Sequence, residues 1–273
     1  MKAPARWTIC GTTGGCGEDK LFFVYMKTIY ILWLRQLKRY YRSRSRMIGS
    51  LGQPILFLLA LGYGFGPVFQ KAGQGNYLEF LAPGVIGMSI IFTSIFSGIE
   101  VIWDRQFGFL KETLVAPVSR INIMIGRTLG GATVASLQGV IVFTIATIAG
   151  FRPVNIALIP LAFLVMILIA LLFTALGTTI ASLLDDMQGF QLIMNFMVMP
   201  LFFLSGALFP LEGAPKVLAN IARFDPLTYG IDALRAFLIN TSHFGIITDF
   251  SVLLAVTLLF LLTGSYFFSK IQI

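Results

Sequence analysis

Ile156-Ala-Leu-Ile-Pro-Leu-Ala-Phe-Leu-Val-Met-Ile-Leu-Ile-Ala-Leu-Leu-Phe-Thr-Ala-Leu-Gly-Thr-Thr-Ile-Ala-Ser-Leu-Leu184 decides the fold, because no charged side chain interrupts the chain between Arg152 and Asp185. A hydrocarbon core of about 30 Å takes about 20 apolar residues in a helix, and a backbone placed there has to satisfy its own hydrogen bonds. This stretch is long enough, so it reads as a membrane-spanning helix. Working outward from it, five further runs qualify: Ile48–Gly66, Phe80–Trp103, Thr128–Gly150, Phe190–Phe209 and Phe250–Phe268. Hydrophobic residues are 57% of the chain and charged ones 12%, about half the share of roughly 25% usual in soluble domains. The fold class is therefore an all-α membrane protein with six transmembrane helices. The first run is diluted by Gly49, Gly52, Gly62, Gly64 and Gly66, and a kink is expected near Pro54.

Lys and Arg set the orientation. Of the 20 in the chain, ten precede the first span, Arg105, Lys111, Arg120 and Arg127 lie between the second and third, and Lys270 is in the tail. The opposite side has only Lys71, Arg152, Lys216, Arg223 and Arg235. This asymmetry predicts that both termini are cytoplasmic. The net charge of +8 is thereby an orientation signal and implies no nucleic-acid partner.

Residues 1–25 read as a disordered N-terminal extension, polar and rich in Gly and Thr over much of its length. Gly11-Thr-Thr-Gly-Gly-Cys-Gly-Glu-Asp-Lys20 is superficially like a phosphate-binding loop, but Asp19 precedes the lysine and Leu21 follows it, so the Gly-Lys-Ser/Thr core is missing. Cys10 and Cys16 both fall on the reducing side, which argues against a structural disulfide. From residue 26 to 47, Met26, Ile29, Tyr30, Trp33, Leu37, Tyr40 and Tyr41 recur at helical spacing among basic residues. This pattern predicts an amphipathic interfacial helix, with its arginines near anionic lipid.

Two connections stand out. Segment 104–120 is charged at both ends and places Phe107, Leu110 and Leu114 at i, i+3 and i+7, with Pro117 ending the predicted helix. Displayed at the surface, such a helix suits contact with a soluble partner, although a plain amphipathic return loop has the same pattern. Segment 210–245 contains Pro210, Pro215 and Pro226 and two apolar pieces, Val217–Phe224 and Leu227–Ile239, each too short to span. They predict a broken helical hairpin on the outer face, re-entrant or superficial.

The order of these features resembles the membrane subunit of ABC-2 type ABC transporters, a family of exporter permeases. Phe80-Leu-Ala-Pro-Gly-Val85, the Asp104–Arg120 segment followed by Ile125-Gly-Arg127, Leu201-Phe-Phe-Leu-Ser-Gly206 with Phe209-Pro210, and Phe224-Asp-Pro-Leu-Thr-Tyr229 carry the resemblance, from about Met26 to Ile273. It implies that two copies of this chain pair with two ABC ATPase subunits in a plasma membrane of the bacterial type. ATP and Mg would be bound in the partner, and this chain would hold no cofactor and no metal. The ATPases would push on segment 104–120 through Phe107, Leu110, Lys111, Glu112 and Leu114.

A substrate path needs polar or adaptable side chains at mid-membrane depth. Thr93, Ser94 and Ser97 on the second span, and Gln191, Met194, Asn195, Met197 and Met199 on the fifth, are the candidates. Ser and Thr also tie helices together, and Met also fills gaps. Glu100 sits near the inner end of its span, where burial demands a partner; Arg105 and Arg127 are the expected ones, in a gate or a structural ion pair. The lining favours an amphipathic drug-like or lipid-like cargo, with a lipid-linked glycan as the alternative. An ion-coupled transporter would place acids near the membrane centre, and here they sit at span ends or in loops. An intramembrane enzyme would need a nucleophile with its base, and the sequence offers no such motif.

Overall fold

In a computed structural model the described residues are 16–71, 76–109, 119–210 and 215–269; they are helical, with no strand among them. The helices are α1 (Cys16–Arg42), α2 (Arg44–Lys71), α3 (Tyr77–Ser97), α4 (Ile99–Gln106), α5 (Arg120–Ile148), α6 (Ile159–Leu183), α7 (Met187–Leu204), α8 (Lys216–Phe224), α9 (Pro226–Leu238) and α10 (Ile246–Ser269). Six segments are long and apolar enough to cross a membrane: α2, α3 with α4, α5, α6 with the short turn before it, α7 and α10.

α3 is the hub. Every residue from Leu81 to Ile91 is buried, and the helix packs against α2, α5 and α6. Lipid is as apolar as leucine, so helices in a bilayer associate through close packing of small residues rather than by escape from water. Gly98 and Gly177 show this. A Cβ on Gly98 would lie 2.5 Å from the Gly177 carbonyl oxygen, and one on Gly177 would lie 2.6 Å from the Ile95 carbonyl oxygen. α2, α7 and α10 form the outside of the bundle, exposing Leu56, Phe65, Leu192, Phe196, Leu258 and Leu262.

The ends differ from the sequence reading in instructive ways. α1 begins at Cys16, inside the stretch expected to be disordered, and residues 1–15 lie outside the described ones. α5 begins at Arg120, two turns before the apolar run starts at Thr128. The two short pieces of segment 210–245 are helical, as α8 and α9, and meet at Asp225, whose Oδ1 accepts the Leu227 N–H at 2.9 Å and caps α9. α9 folds back into the bundle: Ile231 lies over Gly87 in the middle of α3, and Gly230 lies over Ile169 in the middle of α6. Asp232 secures the return, accepting the backbone N–H groups of His243 and Phe244.

Candidate coupling site and adjoining cleft

Arg35 and Arg39 are one helical turn apart on α1, and Glu100 and Asp104 are one turn apart on α4. Each pair therefore presents its charges on one face. α1 comes close enough to use them because it packs on Gly126 and Gly130 of α5; a Cβ on Gly130 would lie 2.7 Å from that of Gln36. Trp33 donates to Thr133 at 3.0 Å and Tyr40 to Gln138 at 2.6 Å, fixing α1 along α5.

The charges then converge. Asp104 accepts from Arg127 at 2.6 Å, from Arg39 at 3.4 Å and from Arg35. Glu100 accepts from Arg39 at 3.2 Å. Glu100, Asp104 and Arg127 are buried, which charges tolerate only when paired, since desolvation costs several kcal/mol per ion. The Arg35 guanidinium also stacks on the Phe109 ring, 4.3 Å from its centroid.

α4 reaches a third neighbour as well. Arg105 pairs with Asp185, Gln106 donates to the Asp185 carbonyl at 3.1 Å, and Trp103 donates to the Met187 sulfur. One short helix thus links α1, α5 and the turn between α6 and α7.

Several expected residues are placed differently. Asp104 belongs to the last turn of α4 and does not open a separate helix. α4 closes at Phe107, and Gly108 follows at φ +77, a left-handed conformation natural to glycine after a helix end. Phe107 is 80% exposed. Leu110, Lys111, Glu112 and Leu114 lie outside the described residues. Arg105 and Arg127, the partners expected for Glu100, make their salt bridges to Asp185 and Asp104.

Beyond Glu100 a cavity of about 200 Å³ opens between α1, α2, α3 and α5. Thr93, Ser97 and Glu100 line it, as do Gln36, Tyr40 and Gln53. Ser94 is buried outside that lining, with its hydroxyl lacking an acceptor. The α7 candidates are elsewhere. Met194 is buried in the core, Gln191 and Asn195 are exposed, and Met197 faces a shallow groove toward Ile221 and Phe224 of α8. Within one chain, the α3 and α7 candidates do not form a common path.

Comparison with known proteins agrees with this architecture. The ABC-2 type transporter family model matches residues 27–239, which takes in the whole charge cluster and the α8–α9 hairpin. Nodulation protein J of Rhizobium leguminosarum bv. trifolii is 29% identical over 213 residues, covering 77% of this chain and 78% of that protein. The putative transport permease ycf38 of Cyanophora paradoxa is 28% identical over 268 residues, covering 91% and 90% of the two chains. Nodulation protein J of Rhizobium meliloti (strain 1021) is 26% identical over 216 residues, 77% and 82% of the two chains. A multi-pass bundle with six candidate spans and a family match over most of its length is a membrane subunit of the ABC-2 type transporter family, to which this chain belongs.

Proposed function

We propose that this chain is the permease of an ATP-driven exporter that moves an amphipathic, drug-like or lipid-like molecule out of the cytoplasm, using ATP hydrolysed by a separate ABC ATPase. The observation that carries the reading is the buried ion cluster joining α1, α4 and α5 at the root of the segment that leaves α4. A push on that segment reaches three helices at once through Asp104, and the turn between α6 and α7 through Arg105 and Asp185. The chain itself carries no ATP site in this reading, and its cofactors reside in the partner.

Two copies work together, because the α3 and α7 candidates are separated in one chain and the apolar faces of α2 and α7 are left outside. Both termini and Lys111 are cytoplasmic, in a plasma membrane of the bacterial type. The decisive experiment combines affinity purification of the tagged chain from its native membrane with labelling of single cysteines in intact cells. An ABC ATPase is expected in the purified complex, and a cysteine at 216, but not at 111, is expected to react from outside. Reversed labelling, or ATP turnover by the chain free of any ATPase, would overturn the reading.

A further inference from the structure

The cleft beyond Glu100 is built with unused polar groups. Gln36 on α1, Gln53 on α2 and Thr93 on α3 are half-buried, line the same cavity, and make no side-chain hydrogen bond among the described residues. Phe92 and Phe96, also in the lining, stack with an interplanar angle of 11° and present a flat apolar wall. We propose that this cleft binds the head of an amphiphile whose polar part is uncharged and both donates and accepts hydrogen bonds, a sugar or a carboxamide, with the tail left among lipids. The inference rests on the exporter reading and narrows its cargo.

Size comes first. A cavity of about 200 Å³ is smaller than the roughly 300–1,000 Å³ of pockets that enclose drug-sized ligands. It accommodates a head group and leaves the rest of an amphiphile outside.

Charge decides the class. Glu100 is the acidic side chain in the lining, and Arg39 already holds it at 3.2 Å. An ammonium head would find that carboxylate occupied, beside a cluster in which, among the described residues, three guanidinium groups face two carboxylates. An anionic head would face the Glu100 carboxylate, and no arginine is among the lining residues. A neutral head escapes both penalties. Each glutamine amide offers a donor and an acceptor, and the threonine hydroxyl offers both in one atom. A ligand without matching groups would leave these amides buried and unpaired, which is costly.

The test uses the full chain in lipid nanodiscs without an ATPase, so that failure here leaves the pairing experiment untouched. Three probes share one tail: octyl glucoside, octyltrimethylammonium and octyl sulfate, each below its micelle concentration, with empty nanodiscs as the blank. Saturable binding is expected for the glucoside, at least tenfold tighter than for either charged probe. Gln36→Leu and Gln53→Leu should each weaken it about tenfold at an unchanged melting temperature. Should either variant fail to fold, Thr93→Val and the ranking of the three heads on the unmodified protein decide. Equal binding of the charged probes, glucoside binding no greater than to empty discs, or a folded Gln36→Leu, Gln53→Leu double variant that binds normally would each overturn the proposal.

Discussion

Asp104 and Arg127 are joined by a salt bridge of 2.6 Å, with their side chains 4% and 6% exposed, across the two ends of the chain that leaves α4 and returns in α5. The pair closes the base of that excursion. In the coupling reading proposed above, this buried pair is the point at which a force on residues 107–119 would enter the bundle.

Asp104→Asn should be the most damaging single change in the cluster. Asp104 faces three arginines, and removing one partner of a buried pair typically costs about 3–5 kcal/mol. Arg35→Gln should cost less, since its side chain is 26% exposed and water compensates part of the loss. Thermal unfolding of the detergent-solubilised chain, read by size-exclusion fluorescence, ranks the two. Equal melting temperatures for both variants would remove Asp104 from its central place.

The six spans and the hairpin were legible in the sequence because runs of apolar residues and well-placed prolines act locally. The charge cluster was not. Glu100 was expected to find Arg105 or Arg127, neighbours along the chain, whereas Arg39 lies 61 residues earlier. Only the packing of α1 on Gly126 and Gly130 brings it near. A signal was nevertheless present: Arg35 with Arg39 and Glu100 with Asp104 are matching pairs at one-turn spacing, complementary in sign. The start of α5 was missed for a related reason. Its first turns carry Arg120 and Arg127, and a hydropathy criterion stops where paired charges begin. Gly108, at φ +77 just past α4, was readable as the end of that helix.

Phe107→Ala should leave stability unchanged, because the ring is 80% exposed and little burial is lost. If the ring is an anchor for the ATPase, its truncation costs about 2 kcal/mol or more of binding. The measurement is ATPase co-purification together with efflux, in Phe107→Ala and in the Phe107→Ala, Leu110→Ala double variant. Wild-type values for both quantities in the double variant would reduce the segment to a return loop.

Gly98→Ala should destabilise the bundle by about 1–3 kcal/mol, the usual cost of overpacking. The added methyl would meet the Gly177 carbonyl oxygen at 2.5 Å, and backbone on both sides has no rotamer with which to yield. Gly49→Ala is the control, since nothing lies within 4 Å of its Cβ position. Melting curves of the two variants should separate, and coincident curves would show that α3 and α6 slide apart freely.

The seating of α1 on α5 also sets an order of events during biosynthesis. Arg35 and Arg39 leave the ribosome before Glu100 and Asp104, and before the glycines that receive their helix. Until α4 and α5 are in place, the arginines of α1 have neither the counter-charges nor the groove that hold them in the folded chain. The helix made first is thus the one whose seat is completed only by the fifth.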